Sequence, residues 1–272
     1  MTAPGAGARL DVELVRRGLA RSRGQARDLI VAGSVSVDGA PQTRPGVRVR
    51  ADTPLLLTSE PERWVGRAAH KLLGALEHFG ASGLTIAGRR CLDVGASTGG
   101  FTQVLLESGA THVTALDVGH GQLVPTVADD PRVEERSGTN IRDVRVGALG
   151  PPFDLVVADL SFISLQLTLA PMRGQLRPDG DLVVLVKPQF EVGRDRVGRT
   201  GVVTSWVEQS RVLREVTGVG ASLGLQVLGL TGSPLRGGGG NREYLLWMSP
   251  RPGEGLDHDA VEALIEQVKG RP

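Results

Sequence analysis

Between residues 90 and 248 the chain alternates short apolar runs with longer amphipathic stretches, and that rhythm limits the possible folds more than any other feature. Residues 91–94, 113–117, 153–158 and 182–186 read as strands, while 99–108, 164–175 and about 205–222 carry helical spacing. Strands follow at 225–230 and 244–248, and Val261, Leu264, Ile265 and Val268 mark a last helix within 257–269. Repeated strand and helix predict an α/β fold, a parallel sheet with helices on both faces. In such a sheet ligands gather outside the carboxyl ends of the strands, so the residues that follow each strand become the candidates for chemistry.

The first 58 residues have a different character. Helical spacing over 10–17 and 22–32, the second stretch opening at Ser22 as N-cap and closing at Gly33, precedes the alternating run around Val35 and Val37. An Asp38-Gly39 turn, Val47, Val49 and 55–57 add further short strands, so the predicted unit is a small α+β domain over 1–58. Residues 59–65, with Pro61 and several charges, read as a linker to a larger domain over 66–272.

Charge separates the two parts. Residues 1–58 hold nine arginines against five acids, whereas the remainder is slightly acidic. Arg16, Arg17, Arg21, Arg23 and Arg27 lie on and between the two predicted helices, either as a face for a polyanion or as an ordinary solvated surface. The run from Ala20 to Ala26, followed by Leu29-Ile30, Gly33, Val35, Val37 and Asp38-Gly39, resembles the ribosomal-protein-S4-like RNA-binding domain. That resemblance implies that these arginines dock on structured RNA.

Several classes are excluded or disfavoured. The single cysteine, Cys91, cannot form an internal disulfide framework, which points to a reducing compartment. Apolar stretches fall far short of the roughly 20 residues that span a bilayer, and the N-terminus lacks a signal pattern. A cytoplasmic chain with no membrane partner is expected. The five histidines show no ligand spacing, so no metal is expected.

A glycine-rich turn, Asp93-Val94-Gly95-Ala96-Ser97-Thr98-Gly99-Gly100-Phe101, separates the first strand of the α/β region from its helix. Glycines there let the backbone approach a ligand, and the helix start offers free N–H groups. Asp93 would repel phosphate, so the turn suits a cationic, phosphate-free ligand such as S-adenosylmethionine. Asp117 ends the next strand, where it can bind a ribose diol, and Asn140 and Ile141 lie in a loop that can flank an adenine. The cofactor candidates are thus Asp93, Gly95, Ser97, Thr98, Gly99, Gly100, Phe101, Asp117, Asn140, Ile141 and Asp159. The competing reading is that Asp93 caps the turn and the glycines serve tight packing.

Asp159 and Lys187 each follow directly on a predicted strand. Of 31 basic residues only Lys71, Lys187 and Lys269 are lysines, which makes each one worth a question. Arg67–Leu72, Leu92–Thr102, Ala158–Ser164, Val186–Glu191 and Asn241–Tyr244 resemble the motifs of the TlyA family, in that family's order. The resemblance implies an S4-like α+β domain joined to a Rossmann-like, S-adenosylmethionine-dependent methyltransferase domain similar to FtsJ. It puts a Lys-Asp-Lys-Glu tetrad on Lys71, Asp159, Lys187 and Glu243. It further implies 2′-O-methylation of cytidine ribose in 16S and 23S ribosomal RNA, within ribosomal subunits, by a monomer. The family's linker pattern is met only in part by Glu62-Arg63-Trp64-Val65.

A ribose hydroxyl is a poor nucleophile, and a lysine helps only as a positioned cation or, where its environment weakens its hold on the proton, as a base. Lys187 is therefore the expected acceptor or polariser of the hydroxyl proton, with Lys71 orienting the ribose and Asp159 and Glu243 positioning both. Arg194, Arg196 and Arg199 can grip RNA phosphates or form a solvated loop, and residues 237–240 read as a flexible turn. The competing functions are a non-catalytic ribosome-assembly factor and a haemolysin, a label this family has carried. A small-molecule methyltransferase would leave the S4-like domain without a task.

Overall fold

The computed structural model describes residues 7–20, 23–58, 63–193, 196–198 and 200–269. The chain divides into two compact units, Met1–Arg63 and Trp64–Pro272. In the first, β1 (Ala8–Arg9), α1 (Leu10–Arg16), α2 (Arg23–Val31), β2 (Val35–Val37), β3 (Ala40–Pro41), β4 (Arg48–Val49) and β5 (Leu55–Leu57) follow one another. The strands form two small antiparallel sheets, β1-β4 and β3-β2-β5. Asp38 and Gly39 both adopt positive φ between β2 and β3, the left-handed pair that a two-residue hairpin needs. Leu10, Leu14, Ala26, Ile30, Val35 and Val49 close the core. Ser22, the expected cap of α2, lies outside the described residues.

The second unit contains α3 (Ala69–Phe79), β6 (Arg90–Val94), α4 (Gly100–Glu107), β7 (His112–Asp117), α5 (Pro125–Ala128), β8 (Val133–Ser137), β9 (Phe153–Ala158) and α6 (Leu169–Gln175). It continues with β10 (Leu176–Val186), α7 (Pro188–Glu191), α8 (Trp206–Ser222), β11 (Gln226–Gly232), β12 (Tyr244–Ser249) and α9 (His258–Gln267). Seven strands lie in the order β11-β12-β10-β9-β6-β7-β8. Two apolar clusters, one around Leu92, Val156 and Val184 and one around Val113, Leu155 and Val183, cover the two faces of the alternating strands. The sheet starts at β6 and grows in both directions, which opens a crevice at the carboxyl ends of β6 and β9.

The structure corrects the parallel-sheet expectation at one place. β12 runs antiparallel to both of its neighbours, β10 and β11. No α-helix separates β11 from β12, only a short connection with a single 3-10 turn at Gly238–Gly240, and strands joined without a crossover must pair antiparallel. Other differences are local. The stretch expected as one helix over 164–175 is a 3-10 turn at Leu165–Leu167 followed by α6, and β10 begins at Leu176 with an irregular register before Asp181. Among the described residues no helix is long and apolar enough to cross a membrane.

At the opposite edge of the sheet from the crevice, Asp181 is wholly buried. It accepts from Arg89 at 2.5 Å, from Arg251 at 2.6 Å and from the Trp247 indole at 2.8 Å. Breaking such a buried arrangement on one side leaves the partner charges uncompensated. Asp181→Ala is expected to cost about 3 kcal/mol by urea denaturation. Asp181→Asn, which keeps an acceptor for Trp247, should cost clearly less.

Candidate active site

Four charged side chains meet at the carboxyl edge of the sheet. Lys71 is buried on α3 within the same turn-by-turn face as Ala69, Leu72 and Ala75. Asp159 follows β9 and Lys187 follows β10, as strand ends at a crevice should. Glu243 precedes β12, and only the antiparallel course of that strand brings it to this edge, because Tyr244 pairs with Val186 beside Lys187. Lys71 Nζ lies 2.7 Å from Glu243 Oε2 and 3.2 Å from Asp159 Oδ2. Lys187 Nζ lies 2.6 Å from the other oxygen of Asp159 and donates to Ser161 Oγ at 3.0 Å. One carboxylate therefore joins both ammonium groups. The four side chains are 2–12% exposed, so two positive and two negative charges balance in a poorly solvated place.

Residues not singled out as site members from the sequence also gather here. Gln189 donates toward Glu243 Oε1 at 3.4 Å. Phe162, between Ser161 and Ile163, is 91% exposed and holds φ at +64°. Its ring stands 5.1 Å from Phe190, and the Lys187 ammonium is 5.8 Å from the Phe190 ring. A bulky residue in the left-handed region is strained, and such strain concentrates at functional loops. Nothing in the residue types forecasts that conformation. Gly237 packs against Glu243 so closely that a Cβ would stand 2.1 Å from its Oε1. That part of the glycine run serves packing of a site residue and is more than a flexible turn.

The glycine-rich turn lies beside this cluster. Gly95 adopts φ +86°, and a Cβ there would come within 3.0 Å of the Asp159 carbonyl oxygen. Asp117 accepts from the backbone N–H of Ser97 at 2.8 Å and of Gly119 at 2.7 Å, which pins the turn. Ser97 and Thr98 face solvent, and Gly99 and Gly100 lead into α4. Asn140 caps a short 3-10 turn through Arg142 N.

Three of the expected cofactor residues have buried side chains. Asp93 is completely enclosed, with one oxygen accepting from Thr102 Oγ1 at 2.7 Å and the other left without a partner. Phe101 and Ile141 are core side chains. All three side chains are enclosed by the protein. Burial, with Asp159 and Asp117 nearby, pushes the Asp93 carboxyl up to about 7.

The comparisons with known proteins agree with this architecture. The FtsJ-like methyltransferase family matches residues 64–249, and the S4 domain matches residues 8–54. The 16S/23S rRNA (cytidine-2'-O)-methyltransferase TlyA of Mycobacterium tuberculosis is 49% identical over 96% of this chain and 97% of its own. The chain belongs to the TlyA family. A candidate rRNA methyltransferase of Bacillus subtilis, YqxC, is 40% identical over 96% of this chain and 93% of its own. A solved structure from Streptococcus thermophilus, described as a candidate hemolysin, superimposes with a TM-score of 0.76 at 35% identity, covering 97% of this chain and 96% of that one.

Within the S4 unit of this TlyA-family chain, two buried acids organise the arginines. Asp11 pairs with Arg9 at 2.9 Å, Arg27 at 3.3 Å and Arg23 at 3.4 Å, which holds its carboxyl well below the usual range. Glu13 pairs with Arg16 and Arg17. Arg17 also donates to the carbonyls of Arg50, Ala51 and Thr53, so its guanidinium is a structural clamp. Arg9, Arg16, Arg23 and Arg27 remain about half exposed. Arg21, Arg194 and Arg199 lie outside the described residues, and Arg196 pairs with Glu208.

Asp93 gives a pH signature with a definite sign. Its folded-state pKa lies above its unfolded value, so the native state holds the proton more tightly and loses stability as pH rises from about 4 to about 7. Asp93→Asn is expected to remove that slope. The difference between variant and native protein in urea denaturation should be small at pH 4 and grow, in the variant's favour, toward a ceiling on the order of 3–4 kcal/mol at pH 8.

Proposed function

We propose that this protein transfers a methyl group from S-adenosylmethionine to the 2′-hydroxyl of a cytidine ribose in 16S or 23S ribosomal RNA, in the cytoplasm. The observation that carries the proposal is the meeting of Lys71, Asp159, Lys187 and Glu243 at the edge adjoining the glycine-rich turn. The curated TlyA relative, nearly half identical along almost its whole length, supports the same reading.

The residues at the turn fit that donor. Ser97 and Thr98 line the exposed side, Asp117 stands at the end of the neighbouring strand, and the unpartnered oxygen of Asp93 lies below. Asp117 at the edge of the turn makes the place attractive to a cation and repellent to phosphate. When bound, the donor supplies a methyl carbon made electrophilic by its sulfonium.

The chain's own side chains do the rest. Lys187 is held by Asp159 and Ser161, which aims its Nζ at the crevice and leaves a direction free for a ribose oxygen. There the ammonium polarises the 2′-hydroxyl; only the neutral amine, its extra proton first given up to solvent, takes the hydroxyl proton as the sugar oxygen attacks. Lys71, locked between Asp159 and Glu243, supplies the second positive charge that orients the sugar oxygen. Holding a hydroxyl in line with its electrophile is itself a large part of the acceleration. The exposed ring of Phe162 offers a face on which an unstacked base can rest, as suits a target splayed out of structured RNA. The half-exposed arginines of the S4 unit supply phosphate contacts that position the RNA without reading sequence.

Incubation with methyl-labelled donor and undermethylated ribosomal subunits, followed by mapping of the modified ribose, tests the reading. Lys187→Ala is expected to keep donor affinity within about threefold while lowering methyl transfer by roughly 10²–10⁴. Lys187→Arg should not rescue it, since a guanidinium does not give up its proton. An active Lys187→Ala enzyme refutes the assignment. In the S4 unit, Arg16→Ala combined with Arg23→Ala is expected to weaken RNA binding and to reduce the slope of log affinity against log salt by about 1–2.

A further inference from the structure

The loop from Asp159 to Leu165 is gripped twice by the segment that follows β10. The first grip is catalytic machinery already described: Lys187 meets Asp159 and Ser161. The second has no assigned task. Glu191, four residues beyond Lys187 at the end of α7, accepts from the Ser164 hydroxyl at 2.5 Å with one oxygen and from Leu165 N–H at 2.8 Å with the other. Ser164 Oγ in turn caps the 3-10 turn by accepting from Gln166 N–H at 3.1 Å. Between the two grips stands Phe162, with its φ of +64° and its ring against Phe190 of the same α7.

We infer that Glu191 is a positioning residue for methyl transfer, holding loop 159–165 in the strained shape that sets Ser161 against Lys187 and presents Phe162. This rests on the reading of the site as a methyltransferase centre. A strained backbone persists only where its surroundings over-determine it. Here the loop is fixed at Ser161 on one side of Phe162 and at Ser164 and Leu165 on the other. Remove the second fixture and residue 162 is free to relax to negative φ, which swings the Ser161 hydroxyl away from the Lys187 ammonium. A carboxylate suits the task because it accepts from two donors that point at it together, a backbone N–H and a hydroxyl. Glu191 touches neither Lys187 nor the glycine-rich turn in these contacts, so its removal separates loop position from donor binding.

The test compares Glu191→Ala, Glu191→Gln and Ser164→Ala in the full chain. Misplacement of a reacting group by an ångström costs on the order of 10²-fold. Glu191→Ala is therefore expected to lower kcat roughly 10–100-fold with donor affinity, measured calorimetrically with S-adenosylmethionine, unchanged within twofold. Glu191→Gln should recover activity to within about threefold, because its carbonyl still accepts from Leu165 N–H and its amide can donate to Ser164 Oγ. Ser164→Ala keeps half of the grip and should fall between them; it decides the matter if Glu191→Ala does not fold. Hydrogen exchange reads the loop directly: the amides of 161–165 should exchange faster in Glu191→Ala and stay protected in Glu191→Gln. Native kcat in Glu191→Ala, or in Ser164→Ala where that variant decides, overturns the inference. So does equal loss in Glu191→Ala and Glu191→Gln, or loss of donor affinity together with activity. A native protein that methylates none of the RNA offered would sink the functional reading instead, while the exchange pattern would still decide whether Glu191 holds the loop.

Discussion

Two lysines buried against two carboxylates are the arrangement on which the larger unit is organised. Each charge taken alone would be expensive to remove from water, and mutual attraction offsets that cost only when the geometry is close and complete. Completeness here requires four separate elements. Lys71 comes from α3, Asp159 from the end of β9, Lys187 from the end of β10 and Glu243 from the start of β12. A helix that docks a little too far away, or a strand slipped by one residue, would strand an unpaired charge. The site therefore acts as a check on the assembly of the sheet, and the sheet in turn keeps the ammonium groups where a sugar oxygen can meet them.

The glycine-rich turn is coupled to that cluster through the backbone. Because Gly95 lacks a Cβ, the turn after β6 can lie against the Asp159 carbonyl, and Asp117 ties the far side of the same turn to β7. The glycine-rich turn and the loop from Asp159 to Leu165 thus share a wall. Enclosing Asp93 beneath them has a consequence for charge. An acid that would be ionised in water is held near the midpoint of its titration at neutral pH. A cation held nearby favours the ionised form, so that its binding and the loss of that proton are coupled.

Much of this was legible in the residues, and the illegible parts have physical reasons. β9 over Phe153–Ala158 coincides with its expected span because Pro151-Pro152 precede it, Asp159 follows it and Leu155-Val156-Val157-Ala158 form an apolar run within it. β8, Val133–Ser137, escaped notice because it is an edge strand whose Glu134, Glu135 and Arg136 show no apolar alternation. Asp159 and Lys187 could be placed by their position after strands. Lys71 and Glu243 could not, since neither a lysine within an amphipathic helix nor a glutamate after a glycine run announces a site; they rested on family resemblance alone. For Asp93 the residues leave the direction of the side chain open. Sequence shows that an acid precedes a turn, whereas the pleat decides whether its side chain points to the crevice or, as here, inward to Thr102. Phe162 and Glu191 act through loop geometry that no spacing encodes.

In the S4 unit an excess of arginine is held in fixed positions by two buried acids. Five guanidinium groups near one another repel, and exposed on flexible side chains they would present no defined pattern to RNA. Asp11 and Glu13, both buried in the first turn of α1, take one or two donors from each neighbour. A guanidinium has five N–H donors, and Arg23 and Arg27 each give one to Asp11. Arg9, absent from the sequence expectation, joins them by a two-pronged bond to the same acid. Arg17 goes the other way, spending its donors on Glu13 and on backbone carbonyls near β4 and β5. The acids lower the net charge of the unit but fix where the remaining charge stands, and for recognition of a folded RNA the fixed positions matter more than the total.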